Sequence, residues 1–255
     1  MEASDVHPSA AHGFTAAAAR YERGRPEYPP EAIDFLVAVF GLHAGSTLVD
    51  LAAGTGKLTR GLARTKSFVV ALEPLATMRA EFARALPLVP VVGAVAERMP
   101  LAHGAADAMV VANAWHWFDS DVAAAEAHRV LRRSGGLALI YNRRDESVGW
   151  VARLSEIIDE HRGDTPQYRS GRWREAFESS PWFAPLRRRD FKYPHRLSPA
   201  LLRDRVASVS FIAQLDGARR KRVMDSVDEL VVQEFGDRSE FTMPHTTEVY
   251  TTTAL

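Results

Sequence analysis

From residue 30 to residue 144 the chain alternates short apolar runs with helical patterns, and this alternation narrows the possible folds more than any other feature. "PPEAIDFLVAVFGL" opens it, with apolar residues at helical spacing, Pro near the start and Gly41 near the end. "STLVDLA" reads as a first strand, "KLTRGLART" as a helix, "SFVVALE" as a second strand and "LATMRAEFARAL" as a second helix. "PVVGAVAE" and "ADAMVVANA" follow as third and fourth strands, then the helix "DVAAAEAHRVL" and the fifth strand "GGLALIYN". Apolar strands joined by crossover helices make a parallel sheet covered on both faces. Right-handed crossovers wind it in both directions from the middle. The expected class is an α/β, doubly wound, mostly parallel sheet, with its ligand beyond the carboxyl ends of the strands where their order reverses.

The texture changes after Asn142. Residues 149–180 hold helical stretches and the aromatics Trp150, Tyr168, Trp173 and Phe177. "RRRDFKYPHRL" predicts a strand, "PALLRDRVASVSFIAQL" and "GARRKRVMDSVDELVVQEF" two helices, and "EFTMPHTTEVYTTTAL" a β segment. No repeat or low-complexity linker sets this part off. The expected organisation is an N-terminal segment over residues 1–29, an α/β core over 30–144, and residues 145–255 completing the same sheet and adding a helical lid. A separate domain from residue 145 onward is the alternative.

The turn in "VDLAAGTGKLTRGLA" carries the chemistry. A phosphate-cradling loop of the form G-x-x-x-x-G-K-[ST] needs a glycine where Leu51 stands and a hydroxyl where Leu58 stands, so that reading is rejected. A dinucleotide fingerprint G-x-G-x-x-G finds Gly54 and Gly56 but Thr59 in its third place, which weakens a nicotinamide or flavin ligand. What remains is the run Asp50 to Gly56: an acid at a strand end, then small residues that let a ligand lie against the backbone. Asp50 suits a cationic group such as an α-amino group. Glu73, roughly 20 residues on at the end of the second strand, is placed to accept both hydrogen bonds of a ribose diol. Glu73-Pro74 also suits a helix start, the structural alternative.

With these segments in hand, the sequence resembles the class I S-adenosylmethionine-dependent methyltransferases. Within them it looks like the small-molecule branch that includes the ubiquinone-biosynthesis-like and trans-aconitate-like enzymes. The resemblance rests on "LVDLAAGTGKLTRGLA", "VVALEPLATMRA", "GAVAERMPL", "ANAWHWFD" and "HRVLRRSGGLALI", in the expected order, and on "YERGRPEYP" before them. It implies a Rossmann-like seven-stranded fold with S-adenosyl-L-methionine as cofactor. It places the methionine part of that cofactor on Asp50, Ala52, Gly54, Thr55 and Gly56, and its ribose on Glu73. Met78 would pack on the adenine face, with Ala96 (through its backbone) and Glu97 at the adenine edge and Asn113 beside the reacting centre. Tyr21 and Arg25 would close over the site, Arg25 toward the cofactor carboxylate. This chain has Ala52 where the family's commonest turn begins with glycine, and tighter packing is the expected result.

A sulfonium cofactor carries its own activated methyl group, so the protein needs mainly to align an acceptor and exclude water. His116 in "NAWHWFD" is the candidate catalytic base, with a structural or cofactor-side role as the alternative. Trp115, Trp117 and Phe118 fit either a substrate pocket or the core. Asp119 fits a helix cap.

No metal is expected, since His128, His195 and His245 lack ligand spacing and the strand ends carry Asn113 and Asn142 rather than acids. The chain has no cysteine, which excludes disulfides and thiolate chemistry. Its 32 basic and 32 acidic residues balance, so neither nucleic acid nor a membrane surface is an expected partner. The runs Arg187-Arg188-Arg189 and Arg219-Arg220-Lys221-Arg222 read as solvated faces. "MEASDVHPSAAHGF" lacks the features of a signal peptide, which makes a cytoplasmic protein, monomer or homodimer, the expectation. The expected function is methyl transfer to the oxygen, nitrogen or carbon of a small molecule. A non-methylating rearrangement on the same cofactor and a nicotinamide-dependent oxidoreductase are the rivals.

Overall fold

The computed structural model describes residues 7–178 and 180–255; the first six residues of the expected N-terminal segment lie outside these. Seven strands build one sheet: β1 (Thr47–Leu51), β2 (Phe68–Leu72), β3 (Val91–Val92), β4 (Ala106–Ala112), β5 (Leu131–Arg144), β6 (Arg187–Leu197) and β7 (Phe241–Thr253). Their order across the sheet is β3-β2-β1-β4-β5-β7-β6. The pairs among β1 to β5 are parallel, while β7 runs antiparallel to both β5 and β6. Strand order reverses between β1 and β4, so a cleft opens there beyond their carboxyl ends.

The helices are α1 (Pro8–Gly24), α2 (Pro30–Phe40), α3 (Lys57–Leu62), α4 (Ala76–Ala85), α5 (Ser120–Val130), α6 (Gly149–Asp159), α7 (Glu175–Glu178), α8 (Pro199–Ala207), α9 (Ser210–Ala213) and α10 (Gly217–Phe235). On one face of the sheet, Val49, Leu51, Met109 and Leu139 bury against Ala123, Ala127 and Val130 of α5. On the other, Leu48, Val110 and Ile140 bury against Ile33 and Leu36 of α2 and Leu58 and Leu62 of α3. Both faces are dry, which is why these strands read as unbroken apolar runs.

β6 and β7 join the same sheet as the core strands. The β5–β7 register ends at Arg144 opposite His245, while Phe241 to Pro244 go on to pair with Leu197 to Pro194. A two-stranded ribbon thus projects past the end of β5. Its Leu197, Phe241 and Met243 share a second apolar core with Trp150 and Leu154 of α6, Leu202 and Val206 of α8, and Val223 and Val227 of α10. These helices form the cap. At the sheet edge, Arg187 to Asp190 are exposed, and Arg188 pairs with Asp190 and Glu248. Charge on an edge strand discourages pairing with other chains.

Three expectations are corrected. The third strand is two residues long, because Gly93 follows it and Ala94 to Met99 turn back through a Val95–Arg98 bridge. The single helix expected over 199–215 breaks at Val209, which adopts extended angles (φ −69°, ψ 129°) between α8 and α9. The N-terminal segment also contains a helix, α1, that the sequence reading lacks. α1 lies on α4, α8 and α9. A Cβ at Gly24 would sit 2.4 Å from the Arg205 nitrogen, and one at Gly13 2.3 Å from the Ser210 oxygen, so both glycines are required by backbone contact. An ion-pair cluster fastens the end of α1 and the loop beyond it to α3. Lys57 Nζ is 3.1 Å from Glu27, Arg60 Nη2 donates to Glu22 at 2.7 Å, and Arg60 also pairs with Glu27.

Candidate active site

The chain leaves β1 through a turn that needs left-handed backbone three times: Ala52 at φ 55°, Gly54 at 58° and Gly56 at 88°. A Cβ at Gly56 would strike Leu86 and Phe82 at under 3 Å, whereas Gly54 faces open space. Gly56 therefore serves packing, and Gly54 leaves room for a ligand. Ala52 is partly buried and packs against the core beneath the turn. Its departure from glycine places a Cβ in a backbone region that costs an L-residue roughly 1–2 kcal/mol.

Beneath the turn, Asp50 is fully buried. Its Oδ2 accepts the Thr59 hydroxyl at 2.5 Å, while Oδ1 and the Thr55 hydroxyl have no partner among the described residues. Burial pushes the Asp50 carboxyl up to about 7, against the Thr59 bond and with the charge of Glu73 adding to the rise. Glu73 accepts from the Gly54 and Leu75 backbone nitrogens, both at 2.9 Å. Burial pushes it too up to about 7, opposed by those two donors and by Arg79.

A first chamber opens over this floor. Ala52, Gly54, Glu73, Leu75 and Met78 line one side, Ala112 to Ala114, Trp117 and Phe118 the other, and Phe14 and Tyr21 of α1 roof it. Asn113 closes its far end. This residue also has a left-handed φ (53°), which asparagine tolerates, and it is tied on three sides. Its N–H donates to Ile140 O at 2.7 Å, its Nδ2 to the Tyr28 hydroxyl at 2.7 Å, and its Oδ1 accepts the Asn142 N–H at 3.0 Å.

Phe14, Tyr21, Asn113 and Trp117 also line a second chamber, so the two share a wall. The second chamber is lined by the end of β5, the loop at residues 165–169 and the cap. Among the described residues six arginines face it (Arg25, Arg143, Arg144, Arg162, Arg169 and Arg205), with Glu146 the one acid. His116 stands in this chamber, tilted against Trp117 and Tyr141, with its Nδ1 buried and without a hydrogen-bond partner among the described residues. Burial pulls its pKa down to about 3, and the charges of Arg162 and Arg143 lower it further.

The structure thus gathers Tyr21, Ala52, Gly54, Glu73, Met78 and Asn113 around the first chamber, with Asp50, Thr55 and Gly56 beneath or behind the turn. Arg25 lines the second chamber, held by Ser208 Oγ at 3.0 Å. Ala96 and Glu97 fall outside both linings, and Glu97 accepts the Asp119 N–H at 2.9 Å. Trp115 belongs to the core and Asp119 caps α5. Sequence reasoning missed Phe14, Arg143, Arg144 and Arg205. Apolar residues at 11, 14, 17, 18 and 21 were a helical signal for the first. Arg143 and Arg144 directly follow Asn142 at a strand end, where chemistry is expected. Arg205 sits on a helix remote in sequence, and no local pattern marks it.

Residues 49–139 match the family model of a methyltransferase domain. An uncharacterized methyltransferase of Mycobacterium tuberculosis is 39% identical over 218 residues, spanning 86% of this chain and 85% of the relative. A methyltransferase-like protein of Schizosaccharomyces pombe is 32% identical over 218 residues, spanning 85% of each. Among solved structures, a protein named as a type II methyltransferase of Anaeromyxobacter dehalogenans superposes with a TM-score of 0.62 at 21% identity, over 90% of this chain and 97% of the other. The YcgJ protein of Bacillus subtilis gives 0.57 at 15% identity, over 88% and 97%. At these identities the two structures speak for the fold.

Proposed function

The chain belongs to the class I S-adenosylmethionine-dependent methyltransferases, and from that premise we propose that it moves a methyl group from S-adenosyl-L-methionine to a small-molecule acceptor. One observation carries this reading: two chambers share a wall at Asn113, Tyr21 and Trp117, one over the glycine turn and one beyond it. A group-transfer enzyme needs donor and acceptor to meet across such a junction.

The residues fit the cofactor. The free Oδ1 of Asp50 and the unpartnered Thr55 hydroxyl are buried polar atoms in want of a donor or acceptor, as the methionine end of the cofactor would supply. Gly54 leaves the turn open to it. Glu73 stands at the first chamber with both oxygens already accepting N–H bonds and lone pairs to spare for a ribose diol. Met78, Leu75 and Phe14 give an apolar slot for a flat base. When bound, the cofactor supplies an electrophilic methyl group on a sulfonium. The chain's own work is positional. Asn113, locked by three hydrogen bonds, fixes the rim between the chambers, and α1 with Phe14 and Tyr21 keeps water from the junction.

His116 is a weak proton acceptor in this setting, because a buried imidazole between arginine charges resists protonation. Its position supports contact with the acceptor, and acceptors already ionised or carrying a free lone pair need no base from it.

Calorimetric titration of the purified protein with S-adenosylhomocysteine, with NAD as control, tests the reading. Binding of the former alone is the expected result, and NAD binding alone would replace it with the oxidoreductase. Product mass separates methyl transfer from rearrangement: the acceptor gains one methyl group or keeps its mass.

A further inference from the structure

A chain with zero formal net charge has concentrated six arginines and one acid on a single chamber, and the pairing of those arginines is uneven. Arg169 pairs with Glu146, and Arg162 with Asp159 at 2.5 Å. Arg25, Arg143, Arg144 and Arg205 have no salt bridge to any carboxylate among the described residues. Arg143 lies over the Tyr168 ring at 4.6 Å. Arg205 is the extreme case. It is 5% exposed, and among the described residues its Nη1 has no partner and its Nη2 meets only the Nε2 of His245 at 2.8 Å.

A guanidinium cannot shed its proton to ease burial, so an unpaired one held away from water is costly. Here several are held together. Burial and then the charges of Arg25 and Arg144 depress Arg205, while burial and then Arg25 depress Arg144, with Asp159 opposing and Arg169 and Arg143 adding to the fall. Clustered cations without counterions make a cavity whose missing partner is an anion. The cofactor does not account for it. None of the six arginines lines the first chamber, where the turn and Glu73 stand.

The neighbour of Arg205 is arranged for this. His245 Nδ1 lies 2.9 Å from the Met243 carbonyl, which fixes the proton on Nδ1 and leaves Nε2 as the acceptor for Arg205. Burial, then the charge of Arg205, keeps this imidazole neutral. A neutral acceptor orients the guanidinium without neutralising it, where a carboxylate in the same place would have consumed the charge. The planar fork is then free to meet a carboxylate or phosphate in bidentate fashion.

We propose that Arg144 and Arg205, with Arg143 beside them, form an anion subsite that selects acceptors bearing a carboxylate or phosphate group, and that His245 is the positioning residue for Arg205. The subsite deepens the methyl-transfer reading and rests on it for the identity of the chamber. Anions of either kind share the chemistry that recognises them, so both serve as probes.

The test is calorimetric titration of the protein, saturated with S-adenosylhomocysteine, with glutarate and separately with inorganic phosphate, at ionic strength held constant by chloride. At least one of the two binds with a Kd below about a millimolar. The one that does, or the tighter of the two, tells carboxylate from phosphate. Arg205→Gln and Arg144→Gln each weaken that binding by about tenfold or more and leave S-adenosylhomocysteine affinity within about twofold. His245→Ala weakens the anion similarly, and His245→Gln, which keeps an acceptor, recovers part of the loss. Should any variant fail to fold, the half-buried Arg144 and the wild-type titration still decide the matter. Neither anion binding above the chloride control, or both arginine variants binding it as the wild type does, overturns the subsite. Failure of S-adenosylhomocysteine to bind while an anion still binds overturns the methyl-transfer reading alone.

Discussion

At the residue scale, the two buried acids under the turn set a pH dependence whose sign follows from their cause. Burial raises Asp50 and Glu73 to about 7, above the value near 4 each has unfolded. In that window the folded protein holds more protons than the unfolded chain, so their contribution to stability is greatest at the acid end and is lost as pH rises toward 7. A cofactor that needs them ionised binds more tightly at pH 8 than at pH 6 and releases protons as it binds near pH 7. Titrations with S-adenosylhomocysteine in Bis-Tris and in Tris, at one pH near 7, are expected to differ in apparent enthalpy for that reason; equal enthalpies would mean the acids are already ionised. At Ala52, the substitution Ala52→Gly relieves a left-handed Cβ and raises stability by about 1 kcal/mol, read by urea denaturation. His116→Ala leaves S-adenosylhomocysteine affinity unchanged. Once an acceptor is known, a turnover loss of about 100-fold or more would mark His116 as a base after all, and the smaller loss expected here reflects a poor proton acceptor.

At the scale of elements, the βα units were legible because the central strands β1 and β4 are buried on both faces and the helices beside them carry an apolar stripe. The range expected for β6 and that expected for α10 coincide with the strand and helix observed. The turn and Glu73 were legible because their chemistry is local. What was not legible depends on contact between distant segments. Val209 interrupts one helical pattern so that Ser210 can meet Gly13. Arg205 matters only because β7 brings His245 to it. No window of sequence contains such facts. Gly24→Ala tests the contact directly. The new Cβ would stand 2.4 Å from backbone, so α1 must shift. The expected result is weaker S-adenosylhomocysteine binding and faster amide exchange in α1, with exchange in the β1 and β4 cores unchanged.

At the scale of the whole molecule, the cap and the α/β core share β6 and β7, so they are expected to melt together. Differential scanning calorimetry should show one transition, and S-adenosylhomocysteine at a hundredfold excess over its Kd should stabilise all of it by about 2.7 kcal/mol. Two resolved transitions would mean that the cap folds on a core of its own. The ribbon that carries the cap has a further consequence. Its strands run without interruption from the sheet into the cap, so that wall is continuous with the core. The wall common to both chambers is α1, whose Phe14 and Tyr21 face both and whose far end is joined by ion pairs to α3. Donor and acceptor berths therefore share one wall, and a substitution that displaces α1 disturbs both at once.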